Sequence, residues 1–548
     1  MPVTTHAGVT PGQHVALLEG IGSADIYEGS ERWTPDELGA ALVADFDASL
    51  LSSLTLDGSN RVSAWVSRVG GISAAQGTQD KQPIYSATGL NSLPAIGFDG
   101  SNDCLAISAV GSLPVSTAAR TIMWVAHSNA SGWRELYSQG GTTGGTFSEI
   151  GVSNGGYAFG STATAAADTI STTTWNGATL IFSWNVDAGV TPIALAYANG
   201  AAPYSRTLST LNTSTTPGYI GSSKGTAEFW SGPAQEILVF NRSLSPQEER
   251  LVEGWLAWKW GLVSNLPNWH PYKLVAPTLA NIKRPYDYYN FVSNALARLE
   301  SWDAATWYNQ PIKYTPNGTD SVRDPSVHII NGTYWLAHTV APNASTACTN
   351  FALASSTDGR TFTYQRYVDC TAVVGNDANS RTWAPEFFVE ADGTVRIYFA
   401  GSTSGASNFK IYETHATAAD LSTWSTPVQI AGTSLPSNMI DAFMVKRGST
   451  YYLWYKNETT KYIELLSSSA PTTDFVVAQS GDWAGWGSGL EGASVIQLDD
   501  GRWKIWLNAY ASSQMYESVS SDDWATWSTK TLISAPYQPT HGTVMRGT

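Results

Sequence analysis

Along most of the chain, apolar and polar residues change places in short runs rather than recurring at helical spacing. From about Leu38 to Tyr272 the runs LVADFDASL, TIMWVAHSN, ATLIFSWNV, IALAYANG and EILVFNRSL are separated by Gly, Ser, Thr and Asn turns. Short strands bounded by turn residues at this density predict a β-sandwich. One segment breaks the pattern. In SPQEERLVEGWLAWKWGL, Ser245 stands as a helix N-cap, Pro246 takes the first helical position and Glu248 completes a capping box. Leu251, Val252, Trp255 and Leu256, with Trp258 and Leu262 beyond, form an apolar stripe that should lie on a sheet.

Past residue 275 a longer repeat sets in. Four segments carry a Ser- or Asp-bearing turn followed by an aromatic: ESWDAATW at 300, SSTDGRTF at 355, ATAADLSTW at 416 and SSDDWATW at 520. Alternating strands begin at Asp324, Ala384, Asp441, Glu491 and His541, roughly 50–60 residues apart, and about four strands per unit at that period predict a β-propeller of five blades. Only one strand follows His541, while ESWDAATWYNQPIKYTP upstream reads as an outer strand without inner ones. Either the two ends share one blade, which leaves no open edge, or a blade is missing. The expected organisation is an arm or linker at 1–34, a sandwich at 35–272, a linker at 273–285 and a propeller at 286–548, all-β throughout.

Composition narrows the function. The 548 residues exceed one compact core. Hydrophobic residues at 43% against 14% charged argue for folded β structure, with 49 Gly and 25 Pro supplying turns. A net charge of −15 repels polyanions, so nucleic acid is excluded as the expected partner. The 23 Trp and 25 Tyr suit large cores and sugar faces alike. No run approaches eighteen uninterrupted apolar residues, so no membrane-spanning helix is predicted. The segment MPVTTHAGVTPGQHVALLEG has neither the basic nor the apolar region of a signal peptide. Cys348 and Cys370 flank Gly359 symmetrically. If the hairpin turns there without a slip of register they are close enough to bridge, and otherwise they are two buried thiols.

The candidate chemistry follows from the propeller. Blade-initial strands line the central axis, so Asp324, Asp441 and Glu491 converge on one pocket, with His541 from the closing blade beside them. Carboxylates gathered in a partly desolvated site drive one another's proton affinities apart. Inverting hydrolysis of a glycoside uses that divergence: one carboxylate activates water and one carboxylic acid protonates the leaving oxygen, while a third can hold the acid protonated and aligned. Trp483 and Trp486, in GDWAGWGSG, either stack on a sugar or anchor their own loop. Asp99 and Asp103, in FDGSND, either touch a calcium ion or form an Asp-Gly turn.

Two resemblances add to this. LVADFDASLLSSLTLDGSNRVSAW, QPIYSATGLNSLPAIGFDGSND and SGPAQEILVFNRSLSPQEERLVEGWLAWKWGL resemble concanavalin A-like, laminin-G-type modules of secreted bacterial and bacteriophage tail proteins, over roughly residues 36–272. Such modules bind glycans, bind proteins or space other domains. RDPS at Asp324, WAPE from Trp383 to Glu386, IDAF at Asp441, LEGAS at Glu491 and the terminal HGTV resemble glycoside hydrolase family 43 and its five-bladed relatives, which hydrolyse arabinans, arabinoxylans and xylo-oligosaccharides. That resemblance implies Asp324 as general base, Asp441 as the orienting modulator and Glu491 as general acid. It also implies Arg323 and Trp383 in the substrate cleft and a calcium ion on the axis supported by His541. Asp-Ala and Glu-Gly-Ala stand where Asp-Pro and Glu-Gly-Pro are usual, which loosens the backbone beside the acids.

The expected function is therefore an inverting glycoside hydrolase on a pentose- or furanose-containing polysaccharide, with the sandwich binding carbohydrate or attaching the enzyme. The alternative is a non-catalytic glycan receptor such as a phage tail adhesin. SSTDGRTF also resembles a sialidase aspartate box, but no three arginines stand at strand starts. An extracellular or virion-associated location, and homo-oligomerisation as in tail depolymerases, are expectations by analogy.

Overall fold

The computed structural model describes residues 32–547 except 130–131, 142–145, 154–155, 161–176 and 209; most of the predicted arm, residues 1–31, lies outside the described residues. The chain divides into two compact units, Met1–Lys283 and Arg284–Thr548. The structure is almost entirely sheet.

In the first unit two eight-stranded sheets form the sandwich. Strand Arg120–His127 shows why its sequence runs are so continuously apolar. Ile122, Trp124 and Ala126 enter the core between the sheets, whereas Met123 and Val125 join a second cluster beneath the helix. A strand covered on both faces loses the apolar-polar alternation that a half-exposed one keeps. The helix Pro246–Lys259 begins as its sequence dictates: the Glu248 N–H donates to Ser245 Oγ (3.3 Å) and the Ser245 N–H to Glu248 Oε2 (2.9 Å). Leu251, Val252 and Leu256 pack on Met123, Val125, Ile181, Leu238 and Phe240, each such burial contributing about 1.5–3 kcal/mol. Trp258 departs from the stripe, its indole N–H donating to the Tyr272 carbonyl at 2.9 Å. Trp33 is buried and its N–H reaches the Pro277 carbonyl at 3.3 Å, so residues 32–34 belong to the sandwich unit rather than to a free arm.

FDGSND is a turn. Asp99 Oδ1 accepts from the backbone N–H groups of Ser101, Asn102 and Asp103 (2.8, 3.1 and 3.3 Å), and Asp103 Oδ2 accepts from the Asp99 N–H at 3.0 Å. Both side chains are engaged in holding the loop, as an Asx turn requires.

The second unit is a five-bladed propeller. Four blades start with the inner strands Arg323–Ile330, Arg381–Val389, Met439–Arg447 and Glu491–Gln497. The fifth joins the chain ends: Thr543–Arg546 is its innermost strand and pairs antiparallel with Tyr286–Val292, followed outward by Ala295–Ser301 and Tyr308–Gln310. Adjacent inner strands are stitched by hydroxyls, the Phe387 N–H donating to Ser326 Oγ (3.0 Å) and the Val544 N–H to Ser494 Oγ (2.9 Å). Three of the four recurring Ser/Asp turns are one structure repeated, and the fourth, at Asp420, has Ala418 in place of the serine. Ser301, Ser356 and Ser520 donate to Asp303, Asp358 and Asp522 (2.9, 2.7 and 2.9 Å), whose carboxylates cap backbone N–H groups further along. The aspartate-box resemblance at Asp358 is accounted for by this structural turn.

The hairpin carrying Cys348 and Cys370 slips by one residue. A bulge between Leu353 and Ala354 moves the pairing from Ala354 with Tyr364 to Leu353 with Arg366, so the Cys370 N–H meets the Thr349 carbonyl (2.9 Å). Both cysteines are buried free thiols.

Candidate functional site

Each of the first four inner strands interrupts its ladder at the same place. Pairing shifts between Arg323 and Ser326, Trp383 and Glu386, Ile440 and Phe443, and Glu491 and Ser494. The first bulged residue of each is left-handed: Asp324 (φ 48°), Ala384 (48°), Asp441 (56°) and Gly492 (60°). A left-handed aspartate costs about 1–3 kcal/mol, which the surrounding strands must hold in place, and such strain collects at functional sites. Asp324 and Asp441 therefore share one register position, while Glu491 sits one residue earlier, level with Arg323 and Trp383. The sequence reading had placed all three acids at one position, and the bulge corrects it.

The structure brings Asp324, Asp441, Glu491 and His541 together. His541 Nδ1 lies 3.4 Å from Asp324 Oδ1 and 3.8 Å from Asp441 Oδ2. Asp441 Oδ2 also accepts the Gly492 N–H at 3.1 Å, and Glu491 Oε2 accepts from Lys456 Nζ at 2.8 Å. Burial disfavours the charge on Asp324, but the hydrogen bond and charge of His541, with Arg323 and Thr339, outweigh it and bring its pKa below the ordinary carboxylate value. Asp441 is raised, by burial first and then by Asp324, against the pull of His541 and Lys456. Glu491 is raised to about 7, again by burial and then by Asp441, with Lys456 and His541 opposing. Burial disfavours a charged His541, yet Asp441, Asp324 and Glu491 together lift it to about 9, leaving an imidazolium at neutral pH. A carboxylate held below its usual pKa and a carboxyl raised to about 7 thus share one site with two cations, His541 and Lys456.

The remaining sequence candidates divide. Trp383 is half-buried at the inner-strand bulge, tilted against Phe409 with ring centroids 4.5 Å apart. Arg323 lies over the Phe291 ring at 5.4 Å and reaches the Pro342 carbonyl at 3.4 Å. Trp486 is a correction: it is 3% exposed and locked among Trp454, Trp483 and Trp527 at 5.3–6.2 Å, so its ring offers no face to a sugar. Loop GDWAGWGSG is anchored by its own aromatics because a cluster of indoles buries far more apolar area than one exposed ring.

A calcium ion at His541 finds little to hold it. Among the described residues no group of three or more His, Cys, Asp or Glu side chains is arranged to hold a metal ion. The donor set does not fit, and no step below runs through a metal.

Sequence reasoning missed two residues. Lys456, on the second strand of the third blade opposite Ile440, carries no motif signal. Glu386 was visible as the last letter of WAPE; it is buried, accepts from Thr543 Oγ1 at 2.7 Å, and is raised to about 7 chiefly by burial, despite hydroxyl contacts from Thr543 and Ser326. It ties the second blade to the closing one.

Residues 300–548 match the family described as a probable glycosyl hydrolase domain, related to glycoside hydrolase family 43. Residues 99–248 match the concanavalin A-like lectin/glucanases superfamily. No curated protein matches the chain. Among solved structures, an α-L-arabinofuranosidase from Clostridium thermocellum is 16% identical with a TM-score of 0.33, covering 44% of this chain and 85% of that one. An endo-1,4-β-xylanase from Bacteroides thetaiotaomicron is 16% identical with a TM-score of 0.34, covering 48% and 94%. An α-L-arabinanase from Cellvibrio cellulosa is 15% identical with a TM-score of 0.33, covering 45% and 91%. By its family match and its five blades, the C-terminal half of the chain resembles glycoside hydrolase family 43, and the N-terminal half resembles the concanavalin A-like modules.

Proposed function

We propose that the propeller is an inverting glycoside hydrolase acting on a pentose- or furanose-containing polysaccharide, an arabinan, arabinoxylan or bacterial surface glycan, and that the sandwich binds carbohydrate or attaches the enzyme. The observation that carries the reading is the split between Asp324, lowered by its imidazolium partner, and Glu491, raised to about 7. In this reading Asp324 takes a proton from water as the water attacks the anomeric carbon. Glu491 gives its proton to the departing glycosidic oxygen, and Asp441, between them, keeps that proton on Glu491 until it is needed. Trp383 and Arg323 flank the sugar at the level of Glu491. No helix is long and apolar enough to cross a membrane among the described residues. An extracellular or virion-associated setting accords with a polysaccharide substrate.

The test is reducing-end release from arabinans, xylans and capsular polysaccharides by the full chain. Glu491→Gln is expected to cut turnover by about 10²–10⁴, and the first-formed sugar should carry the inverted anomeric configuration by NMR. Equal glycan binding by wild type and variant, with no sugar released by either, replaces the hydrolase with a glycan receptor.

A further inference from the structure

Glu491 does not meet the pocket alone. Lys456 comes from the neighbouring blade, its side chain only 4% exposed, and its ammonium is shared between Glu491 Oε2 at 2.8 Å and Glu458 Oε1 at 2.6 Å. Glu458 is in turn held by Lys461 at 2.5 Å. The Tyr510 ring covers Lys456 Nζ at 4.0 Å and is itself 43% exposed. An ammonium roofed by an aromatic face and flanked by two carboxylates is fixed in place, since its charge is favoured on every side. Glu491 keeps 22% of its side chain open, and among the described residues no hydrogen bond is made to its Oε1. The two oxygens of the acid are therefore unequal: Lys456 donates to Oε2, and Oε1 carries no hydrogen bond among the described residues.

We propose that Lys456 is a positioning residue for proton delivery: by donating to Oε2 of Glu491 it confines the transferable proton to Oε1, then balances the carboxylate left when that proton has gone. This rests on the hydrolase reading. An ammonium has only protons to offer, so it favours Oε2 as the stronger, unprotonated acceptor and the acid's own hydrogen on Oε1. In the reaction the Oε1–H bond breaks as the proton joins the glycosidic oxygen, which takes the electron pair of the breaking bond to the anomeric carbon and leaves as an alcohol. Water, losing a proton to Asp324, forms the new bond to that carbon. Glu491 ends as a carboxylate, Asp324 as an acid, and the new charge on Glu491 appears beside Lys456 at a site where removing solvent strengthens the pairing. The groups facing Glu491 are Lys456, Asp441 and His541; those facing Lys456 are Glu491, Asp441 and Glu458, with Tyr510 above.

The experiment compares leaving groups. The full chain is assayed on 4-nitrophenyl α-L-arabinofuranoside and β-D-xylopyranoside, whose phenolate leaves with little protonation, and on linear arabinan and xylo-oligosaccharides, whose sugar alkoxide needs the proton. Lys456→Met should lower kcat on the oligosaccharide by about 10–100-fold and on the aryl glycoside by less than about threefold. It should also move the alkaline limb of kcat/KM to higher pH, and Lys456→Arg should restore both. Equal losses on both substrates with an unmoved pH profile, or no loss on either while Glu491→Gln is inactive, overturn the assignment and leave the hydrolase standing. A wild type that cleaves neither these substrates nor capsular polysaccharides overturns the hydrolase reading and this inference with it.

Discussion

Gly492→Ala isolates the geometry on which the site depends. Gly492 has φ +60°, and a Cβ built there would come within 2.5 Å of the His541 ring carbons and 3.0 Å of its Cβ. Two costs add: about 1–2 kcal/mol for an L side chain in the left-handed region and about 1–3 kcal/mol for forcing a ring out of a packed site. Gly448 provides the control, because it has φ +58° but nothing within 4 Å of a Cβ, so Gly448→Ala carries only the backbone cost. Scanning calorimetry of the full chain should show the Gly492→Ala propeller transition lowered further than that of Gly448→Ala, at about 2–4 °C per kcal/mol of difference. The catalytic consequence has a definite sign. A displaced His541 no longer holds Asp324 below its usual pKa, so the acid limb of kcat/KM should move to higher pH in Gly492→Ala and stay put in Gly448→Ala. Equal melting shifts and unchanged acid limbs for the two variants would refute the contact between Gly492 and His541 and the ion pair built on it.

Two further outcomes follow from the same contacts. Asp441→Asn removes a charge that raises Glu491, so the alkaline limb should move to lower pH, opposite to Lys456→Met, with a fall in kcat that a pH-rate series on the same glycosides will resolve. Trp486→Ala should cost about 3–5 kcal/mol of propeller stability by emptying an indole cluster, and glycan affinity measured by calorimetry should be unchanged under conditions where the variant remains folded.

The blade period could be read from the chain because blades open with an alternating strand and three of the five carry a Ser/Asp turn before the outermost strand, features that local physics imposes on sequence. The closing blade was legible only as one of two readings, a shared blade or a missing one, and the pairing of Thr543–Arg546 with Tyr286–Val292 decides for the first. Register was not legible. The bulge at Asp324, Ala384, Asp441 and Gly492 adds a residue without adding a distinctive one, and only the glycine of the fourth blade hints at a left-handed backbone. The same kind of slip, between Leu353 and Ala354, separated Cys348 from Cys370. Trp486 misled because exposure is not written in a loop's composition, and its burial depends on Trp454 from a strand and Trp527 from another loop. Lys456 was silent because a lysine in YYLWYKN reads as a solvated strand residue until the neighbouring blade supplies Glu491.

The register difference gives the third acid its distinct character. Asp324 and Asp441, both at bulge tips, lie near the same ring nitrogen of His541, which lowers both against the burial that raises them. Glu491, one residue earlier and one methylene longer, is set beside a different cation. The central Asp441 is thus flanked by two positive charges, each paired with a different outer acid, and its own carboxylate is fixed by the Gly492 N–H. A site with a single cation would pull all three acids the same way. With one cation beside Asp324 and another beside Glu491, the proposed base and the proposed acid answer to different partners, so substitutions at Gly492 and Lys456 should move opposite limbs of one pH profile.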